Sequence, residues 1–305
     1  MTPQTANLSE VGRTMRELAR RASIEVSVRE LLRASDAAVP LLRDRETFLP
    51  WTPNMAADDM VAATSLARRL GLTPVPHIAA RRLGSEAAAR SLLARLSECG
   101  AEAVLLIGGD VRDPAGPYRS SFDLLRTGVF QRAGFRKLGV AGYPEGHPAI
   151  DDGILRETLD LKLNYARNEG LEVFIVSQFC FEGSVIAQWA KSLRASGVSV
   201  PIRAGVAGPT NLAKLLDLGL RCGVGSSIRA LKGKMGSVVR LVAAHEPQDV
   251  IQDIAAACLA EPAPGVLSVH LFAFGGAEMT AQWMKRIAEG SIELRSARKS
   301  ARSGG

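Results

Sequence analysis

The sequence predicts a single α/β domain in which eight parallel strands close into a (β/α)8 barrel. Three observations predict this fold. Eight short apolar runs alternate with helical stretches, polar residues cluster where those runs end, and no linker or change of composition divides the chain. Strands that alternate with helices form parallel sheets, and 305 residues is an ordinary length for one barrel.

The predicted strands are short, as buried parallel strands usually are. The first alternates apolar and polar side chains, whereas the fourth is apolar throughout. The eight ranges are 22–28, 47–51, 74–78, 103–107, 138–142, 173–177, 202–204 and 266–271, and residues 222–224 are a candidate for a further short edge.

The helices are predicted from apolar residues at helical spacing and from end signals such as Ser85, a candidate N-cap, and Gly71 and Gly100 after helix ends. They cover 10–20, 31–45, 58–70, 85–99, 121–126, 154–168, 184–195, 211–218 and 277–288, with a long helical stretch before the eighth strand. We divide the chain into an N-terminal helical extension (1–20), the barrel (21–292) and a basic, disordered tail (293–305). A doubly wound open sheet is the competing fold, but no G-x-G-x-x-G opens the first βα turn.

Composition excludes several classes of protein. Apolar residues make up 47% and charged residues 23% of the chain, which is typical of a globular protein with a large core. No apolar run reaches the ~18 residues of a membrane span, and the charged N-terminus is not a signal peptide. The four cysteines are widely spaced and form no C-x-x-C, which predicts a reduced, cytoplasmic protein without disulfides or a metal site.

The net charge of +7 predicts anionic small-molecule ligands such as dinucleotides, although the tail contributes four of the positive charges. Aromatic and basic residues are not interleaved as on a nucleic-acid surface. We therefore expect small-molecule partners, no nucleic acid and no membrane, and we leave a homo-oligomer open.

The ends of the predicted strands carry the main functional signal. In a barrel the active site lies at the carboxyl ends of the strands, on the βα loops. Those ends carry Glu25, Thr52, His77, Asp110, Tyr143, Glu145, His147, Gln178, the turn at Gly205, and Phe272. The densest cluster is G-V-A-G-Y-P-E-G-H-P at 139–148, which a solvated βα turn would also explain.

Glu25 is the candidate general acid. It stands between Ile24 and Val26 in an apolar strand, so alternation points it away from both and toward the barrel mouth. A carboxyl group in such a place has a raised pKa and can donate a proton near neutral pH. An outward-facing glutamate in a salt bridge is the alternative.

Asp110 and Gln178 are candidates for gripping a flat heterocycle. Asp110 follows two glycines, which let a ligand approach the backbone, and Gln178 offers both a donor and an acceptor. Each has a plain alternative, a turn or capping aspartate and a glutamine that satisfies its own loop. His77 could hold a tautomer against a ligand or serve a structural role.

Seven short motifs occur in order over nearly the whole chain. They are I-E-V at Ile24, P-H at Pro76, G-D at Gly109, Y-P-E-G-H-P at Tyr143, S-Q-F at Ser177, A-G-V-A-G-P-T-N at Ala204 and A-E-M at Ala277. Together they resemble the methylenetetrahydrofolate reductase family in its bacterial single-domain form, whose fold is a (β/α)8 barrel.

The resemblance implies that 5,10-methylenetetrahydrofolate is reduced to 5-methyltetrahydrofolate with NAD(P)H and FAD. It implies that Glu25 protonates N10, that Asp110 lies by the flavin and the pterin, and that Gln178 contacts the pterin. It further implies a cofactor site formed by Thr52, His77, Gly109, Asp110, Tyr118, Tyr143, Glu145, His147 and Lys162. On the folate side, the resemblance implies Gln178, Phe181, Leu212 and Phe272.

The chain departs from the family pattern where the family binds FAD. The arginine before the G-D motif is replaced by Gly108, and the basic pair before the sixth strand falls at Leu163 and Asn164, beside Lys162. On the substrate side, a phenylalanine that stacks on folate or nicotinamide in the family is replaced by Leu212. Charge-assisted contacts contribute about 1.5–3 kcal/mol each, so we predict that FAD binds weakly or not at all. A non-reducing folate-binding subunit, or a pterin-dependent methyltransferase or lyase, remains an alternative.

Overall fold

The computed structural model describes residues 8–32, 38–222, 244–260, 265–292 and 294. Within these residues, eight strands form a closed parallel barrel in the order β1-β10-β7-β6-β5-β4-β3-β2. They are β1 (Ser23–Glu25), β2 (Glu46–Leu49), β3 (Thr73–Ala79), β4 (Ala103–Ile107), β5 (Lys137–Gly142), β6 (Glu172–Ser177), β7 (Ile202–Ala207) and β10 (Val266–Phe272). The predicted (β/α)8 barrel is confirmed. Strands β8 (Thr210–Asn211) and β9 (Ala244–His245) form a separate antiparallel pair.

Helices surround the barrel, and none of the described ones is long and apolar enough to cross a membrane. They are α1 (Leu8–Arg20), α2 (Val28–Leu32), α3 (Val39–Leu42), α4 (Ala57–Arg69), α5 (Glu86–Glu98), α6 (Ser121–Leu125), α7 (Val129–Arg132), α8 (Asp152–Asn168), α9 (Gly183–Ala195), α10 (Leu212–Cys222), α11 (Gln248–Ala260) and α12 (Ala277–Glu289). Ser85 caps α5 as predicted, because its side chain accepts a hydrogen bond from the backbone N–H of Ala88.

Strand alternation divides the core into two layers. Ile24, Val104 and Leu106 face the helices, in the large cluster between strands and helices. Phe48 and Phe174 point the other way and fill the barrel, together with Val75, Ala103, Leu105 and Val176. The period of two in each strand therefore decides which residues reach the interior.

Helix α1 packs against α11 and α12, and its residues Val11, Met15 and Leu18 are buried in the large core cluster. Except for Leu294, the basic tail lies outside the described residues. The division into extension, barrel and tail stays a prediction.

The first strand is shorter than predicted, since β1 ends at Glu25 and α2 begins at Val28. Ser27 and Glu30 form reciprocal hydrogen bonds: the Ser27 N–H and hydroxyl donate to Glu30 Oε2, and the Glu30 N–H donates to Ser27 Oγ. This S-x-x-E capping box starts a helix where the alternating pattern predicted strand.

Two other boundaries are also corrected. Of the helix predicted over 31–45, residues 33–37 lie outside the described chain, and α3 ends at Leu42 before Asp44, whose φ of 61° is left-handed. Cys222, predicted at a strand edge, is the last residue of α10, and residues 223 and 224 lie outside the described chain.

Candidate active site

Glu25 lies at the carboxyl end of β1 and points into the barrel. Its Oε2 is 3.5 Å from Nε2 of His77 on β3 and 3.9 Å from Nε2 of His270 on β10. The carboxyl group keeps some contact with solvent, whereas His270 is fully buried. Alternation along β1 therefore correctly predicts the direction of this side chain. We call Ser23, Glu25, His77 and His270 the mouth cluster.

The second imidazole nitrogen of His270 is held by Ser23. Nδ1 of His270 lies 2.9 Å from Ser23 Oγ, across the seam where β1 pairs with β10. The Nε2 atoms of His77 and His270 are both buried and make no hydrogen bond to the described residues. Because the two nitrogens of a neutral imidazole are a donor and an acceptor, the Ser23 hydroxyl can adapt to either tautomer of His270.

Burial controls protonation in the mouth cluster. It raises the pKa of Glu25 above its usual 4.5, and His77 offsets part of this rise. Burial also lowers the pKa of His77 to about 4 and that of His270 to about 3, so both rings are neutral at pH 7. The site therefore contains a carboxyl group that retains its proton closer to neutral pH than usual, beside two neutral imidazoles.

Aromatic rings extend the mouth on the side of β6 and β10. Phe179 contacts Phe181, Phe272 and Phe274, with ring centroids 5.1–5.7 Å apart. Phe272 stacks on Phe274 and also lies edge-on to His270, with ring centroids 4.8 Å apart. Leu212 packs into the same apolar cluster. Three of the four predicted folate-side residues therefore lie together, next to a mouth-cluster histidine.

The loop after β4 carries Asp110 on the surface. Gly109 has a φ of +98°, and a Cβ there would lie 3.1 Å from Ala79 Cβ, so this position favours glycine. A Cβ at Gly108 would meet nothing within 4 Å. Asp110 itself is exposed at the same end of the barrel as Glu25. The open space at Gly108 would admit a ligand beside this loop.

Gln178 follows β6 and satisfies its own loop. Its Oε1 accepts a hydrogen bond from the Phe179 N–H, and its backbone N–H donates to the carbonyl of Gly142. The loop is further tied to β7, because the Gly205 N–H donates to Ser177 Oγ at 2.7 Å. This is the loop-capping alternative for Gln178, and a pterin contact would require its side-chain amide to turn or to use Nε2.

The densest motif forms a partly buried loop after β5. The rings of Tyr143 and His147 meet edge to face with centroids 5.4 Å apart, and Nδ1 of His147 accepts from the Ala149 N–H. Burial raises the pKa of Tyr143 and lowers that of His147. Glu145 contacts Cys180, whose thiol pKa is raised by burial and then by this carboxylate.

The remaining predicted cofactor residues lie apart from the mouth cluster. Thr52 is exposed after β2, and its carbonyl accepts a hydrogen bond from Arg82. Tyr118 is buried and lines a cavity of about 360 Å³ with Glu86, Pro117, Asp123, Arg126 and Thr127. Lys162 on α8 is buried, makes no ion pair with the described residues, and has a pKa lowered by burial to about 8.

The positions on α8 where the family resemblance expects a basic pair do not fit a tightly held FAD. Leu163 is buried in a core cluster with Val140 and Ile175, and Asn164 is exposed beside Arg167, to which its carboxamide oxygen is hydrogen-bonded. Of the three adjacent α8 positions considered, Lys162 alone provides a cation. Among the residues that the structure describes, no three His, Cys, Asp or Glu side chains are grouped as metal ligands.

Sequence reasoning missed His270, Ser23 and Phe274. His270 stands two residues before Phe272 in a strand of period two, so its direction was available from the pattern. Its role was not, because its partner Ser23 is 247 residues away and meets it only when the barrel closes.

Comparisons with known proteins identify the family of this chain. The sequence model of the family described as methylenetetrahydrofolate reductase matches residues 51–287. The Schizosaccharomyces pombe methylenetetrahydrofolate reductase 1 is 33% identical over 123 residues, which is 37% of this chain and 19% of that protein. The Saccharomyces cerevisiae methylenetetrahydrofolate reductase 2 is 29% identical over 101 residues, 33% of this chain and 16% of that protein.

A solved structure shares the fold. It is described as an uncharacterized protein from Clostridium thermocellum that binds two copies of 5-methyl-5,6,7,8-tetrahydrofolic acid. The TM-score is 0.55 at 12% identity, covering 90% of this chain and 98% of that one. At that identity the likeness concerns the fold, whereas the family match covers most of the chain from the loop after β2 to α12. The chain belongs to the methylenetetrahydrofolate reductase family.

Proposed function

We propose that the protein reduces 5,10-methylenetetrahydrofolate to 5-methyltetrahydrofolate with NAD(P)H. The observation that carries the proposal is Glu25, a largely buried carboxyl group at the barrel mouth whose pKa is raised by burial. The yeast relatives named as methylenetetrahydrofolate reductases and the folate-binding description of the structural neighbour support a folate substrate.

Glu25 supplies the proton. In its protonated form it donates to N10 of the substrate, and the bond from N10 to the methylene carbon then breaks. The electron pair of that bond remains on N10, and the methylene group remains on N5 as an iminium ion. Neutral His77 and His270 suit this step, because an imidazolium beside Glu25 would favour its ionised form.

The nicotinamide supplies the electrons. NAD(P)H transfers a hydride to the iminium carbon, which becomes the N5 methyl group, and NAD(P)⁺ leaves. One proton, consumed from Glu25, is replaced from solvent before the next turnover. We assign the Phe272 cluster to the flat rings, since Phe272 contacts His270 and offers apolar surface beside Glu25.

Asp110 and Gln178 are assigned to the pterin as a proposal. A carboxylate and a side-chain amide can bind the amino and ring N–H groups of the heterocycle, and both residues follow strands that end at the mouth. Hydride passes directly from NAD(P)H to folate in this proposal, because the basic positions expected for FAD are occupied by Gly108, Leu163 and Asn164. A cytoplasmic location is part of the proposal, supported by four cysteines that are widely spaced and form no C-x-x-C.

The test is NAD(P)H oxidation that depends on methylenetetrahydrofolate, measured on the purified protein with and without added FAD. We expect turnover without FAD, formation of 5-methyltetrahydrofolate, and no flavin band in the visible spectrum of the protein. A stoichiometric flavin band would contradict direct hydride transfer, and activity that requires FAD would do the same. Absence of turnover under both conditions would contradict the reductase proposal.

A folate-binding subunit that performs no hydride transfer is the second candidate. It is favoured by Leu212, which packs into the apolar cluster at a position where the family resemblance expects a stacking phenylalanine. Equilibrium binding of 5-methyltetrahydrofolate separates the two functions, because binding without turnover supports this candidate. A folate product other than 5-methyltetrahydrofolate would instead indicate a methyltransferase or lyase.

A further inference from the structure

A second group of ionisable side chains lies at the opposite end of the barrel interior. Glu46 and Lys137 are the first residues of β2 and β5, and Arg203 is the second residue of β7. Glu46 forms an ion pair with Arg203, and Lys137 Nζ lies 3.2 Å from Glu46 Oε1. We call these three residues the floor cluster.

Two phenylalanine rings separate the floor cluster from the mouth cluster. The Arg203 guanidinium lies 4.1 Å from the ring centroid of Phe174 and 5.6 Å from that of Phe48. Phe48 also meets His270, with ring centroids 4.5 Å apart. Arg203 and His270 therefore contact the same ring, and no bulk solvent lies between them, because Phe48 is fully buried.

The register of β7 and β10 brings the two groups to adjacent levels. Arg203 pairs with Ser268, and the next interior level pairs Gly205 with His270. A Cβ at Gly205 would lie 2.2 Å from the Ser177 carbonyl oxygen, so this position accepts only glycine. Strand β7 therefore places no side chain at the level of His270, and Arg203 is the next interior residue of β7 below that level.

More than one side chain of the mouth cluster could carry a proton. The Nε2 atoms of His77 and His270, which make no hydrogen bond to the described residues, both lie within 4 Å of Glu25 Oε2. Among the described residues, the ionisable groups that face His270 are Glu25 from β1, Glu46 from β2, His77 from β3 and Arg203 from β7. Arg203 is the permanent cation of this set, because a guanidinium does not lose its proton in proteins.

We propose that Arg203, anchored by Glu46, is a positioning residue that keeps the proton of the mouth cluster on Glu25 and off His270. A second positive charge on His270 would face Arg203 across one buried ring, where charges are poorly screened. Burial and then Arg203 both lower the pKa of His270, while Glu46 acts in the opposite direction. The role of Glu46 is thus to fix Arg203 in place.

The test locates the proton directly and requires no turnover, so it can fail independently of the proposed function. Imidazole nitrogens are observed by nitrogen-15 NMR of the whole chain between about pH 4.5 and 8, the range in which histidines commonly titrate. The chain has four histidines, and His77→Gln and His270→Gln variants assign the two signals. We expect His270 to stay neutral throughout in the natural protein.

In Arg203→Met we expect the proton affinity of His270 to rise at least about tenfold, so that a protonated fraction of His270 becomes visible near pH 4.5, because a like charge across one buried ring is removed. The double variant Glu46→Gln/Arg203→Met removes both charges and keeps the test available if Arg203→Met does not fold. It should show a smaller rise, because Glu46 no longer attracts the proton.

Lys137→Met is the matched control, because Lys137 binds the same Glu46 and lies over Phe174 at 5.5 Å, whereas the cation over Phe48 is Arg203. It should leave His270 neutral. A His270 that stays neutral in every folded Arg203 variant would overturn the proposal. So would a His270 that takes a proton in the natural protein within this range, or a Lys137→Met effect as large as that of Arg203→Met.

Discussion

The pKa values of two glutamates on adjacent strands of one barrel are shifted in opposite directions. Glu25, at the end of β1, faces two neutral imidazoles, and burial raises its pKa. Burial would also raise the pKa of Glu46, which lies at the start of β2. The hydrogen bonds and positive charges of Arg203 and then Lys137 outweigh this effect of burial, and the pKa of Glu46 is lowered. Burial alone therefore does not determine the state of a carboxyl group in this protein. The partners at each end of the barrel decide it.

The difference explains why one end can perform proton chemistry and the other cannot. A carboxylate held by two cations neither releases nor takes up protons near pH 7, which suits a structural role at the amino ends of barrel strands. A carboxyl group without a cation is poised to donate. The predictions below test this contrast, beginning with the largest effect.

Replacing Glu25 by Gln should reduce turnover by about 10²–10⁴-fold, the usual contribution of a general acid. Folate binding should change little, since the shape and polarity of the site are kept. In the natural protein, kcat/KM should fall as pH rises through the raised pKa of Glu25, because the acid form is lost. The measurement is the pH profile of methylenetetrahydrofolate reduction. Unchanged turnover in the variant would remove Glu25 from the mechanism.

The same two glutamates should respond oppositely in stability. Glu46→Gln should lower the free energy of unfolding by about 3 kcal/mol at pH 7, because it leaves buried Arg203 without its carboxylate. Glu25→Gln should raise it, most clearly at alkaline pH. Denaturant titrations of both variants and the natural protein at several pH values measure this.

The signs of the pH dependence follow from linkage. Glu46 stabilises the fold above the usual glutamate value of 4.5, and this is lost as pH falls through its lowered folded-state pKa. Glu25 has a raised folded-state pKa, so it lowers the free energy of unfolding increasingly as pH rises from 4.5 through that raised value. If Glu46→Gln and Glu25→Gln changed the free energy of unfolding in the same direction, the proposed difference between the mouth and floor glutamates would be wrong.

The sequence predicts the residues of the mouth cluster better than those of the floor cluster, because the direction of Glu25 follows from the pattern of its immediate neighbours. Alternation between Ile24 and Val26 sets its direction, and a short strand needs no distant information to express that pattern. The state of Glu46 depends on Arg203, which is 157 residues away. His270 likewise depends on Ser23 across the closing seam. Contacts between strands that are distant in sequence are fixed by the register of the barrel, which no local pattern contains.

Local signals were also available where boundaries were wrong. Ser27 and Glu30 are a capping box, a signature of a helix start, and the strand ends three residues before the alternation does. At Gln178 the sequence could not decide between two roles. A glutamine side chain is equally suited to bind a pterin or to accept a hydrogen bond from its own loop. The hydrogen bond from the Phe179 N–H shows that it binds its own loop in the free protein.

Lys162 is a cationic counterpart of Glu25, buried and without a described ion-pair partner. Lys162→Met should raise the free energy of unfolding by about 2 kcal/mol at pH 7, because it removes an uncompensated buried charge. Its pKa of about 8 lies below the usual 10.5, so the natural protein gains stability as pH rises from about 8 through 10.5. Thermal unfolding at pH 7 and pH 10 should show the gap between the two proteins narrowing. A constant gap would mean that Lys162 is paired, for example with a bound anion.

The smallest predicted effect compares two phenylalanines, one at each end of the barrel. Phe272 contacts His270 and is partly exposed, whereas Phe174 is buried under Arg203 and Lys137. Phe272→Leu should raise the KM for methylenetetrahydrofolate about fivefold, equivalent to about 1 kcal/mol of lost ring contact, and should leave stability nearly unchanged. Phe174→Leu should do the reverse, because its ring is buried against the floor cluster and Phe48 and has no contact with the mouth cluster among the ring contacts of the described residues. Steady-state kinetics and thermal unfolding of both variants separate the two effects. If Phe174→Leu raised KM as much as Phe272→Leu, ring packing at the floor would control substrate binding, and the assignment of the substrate contact to Phe272 would be wrong.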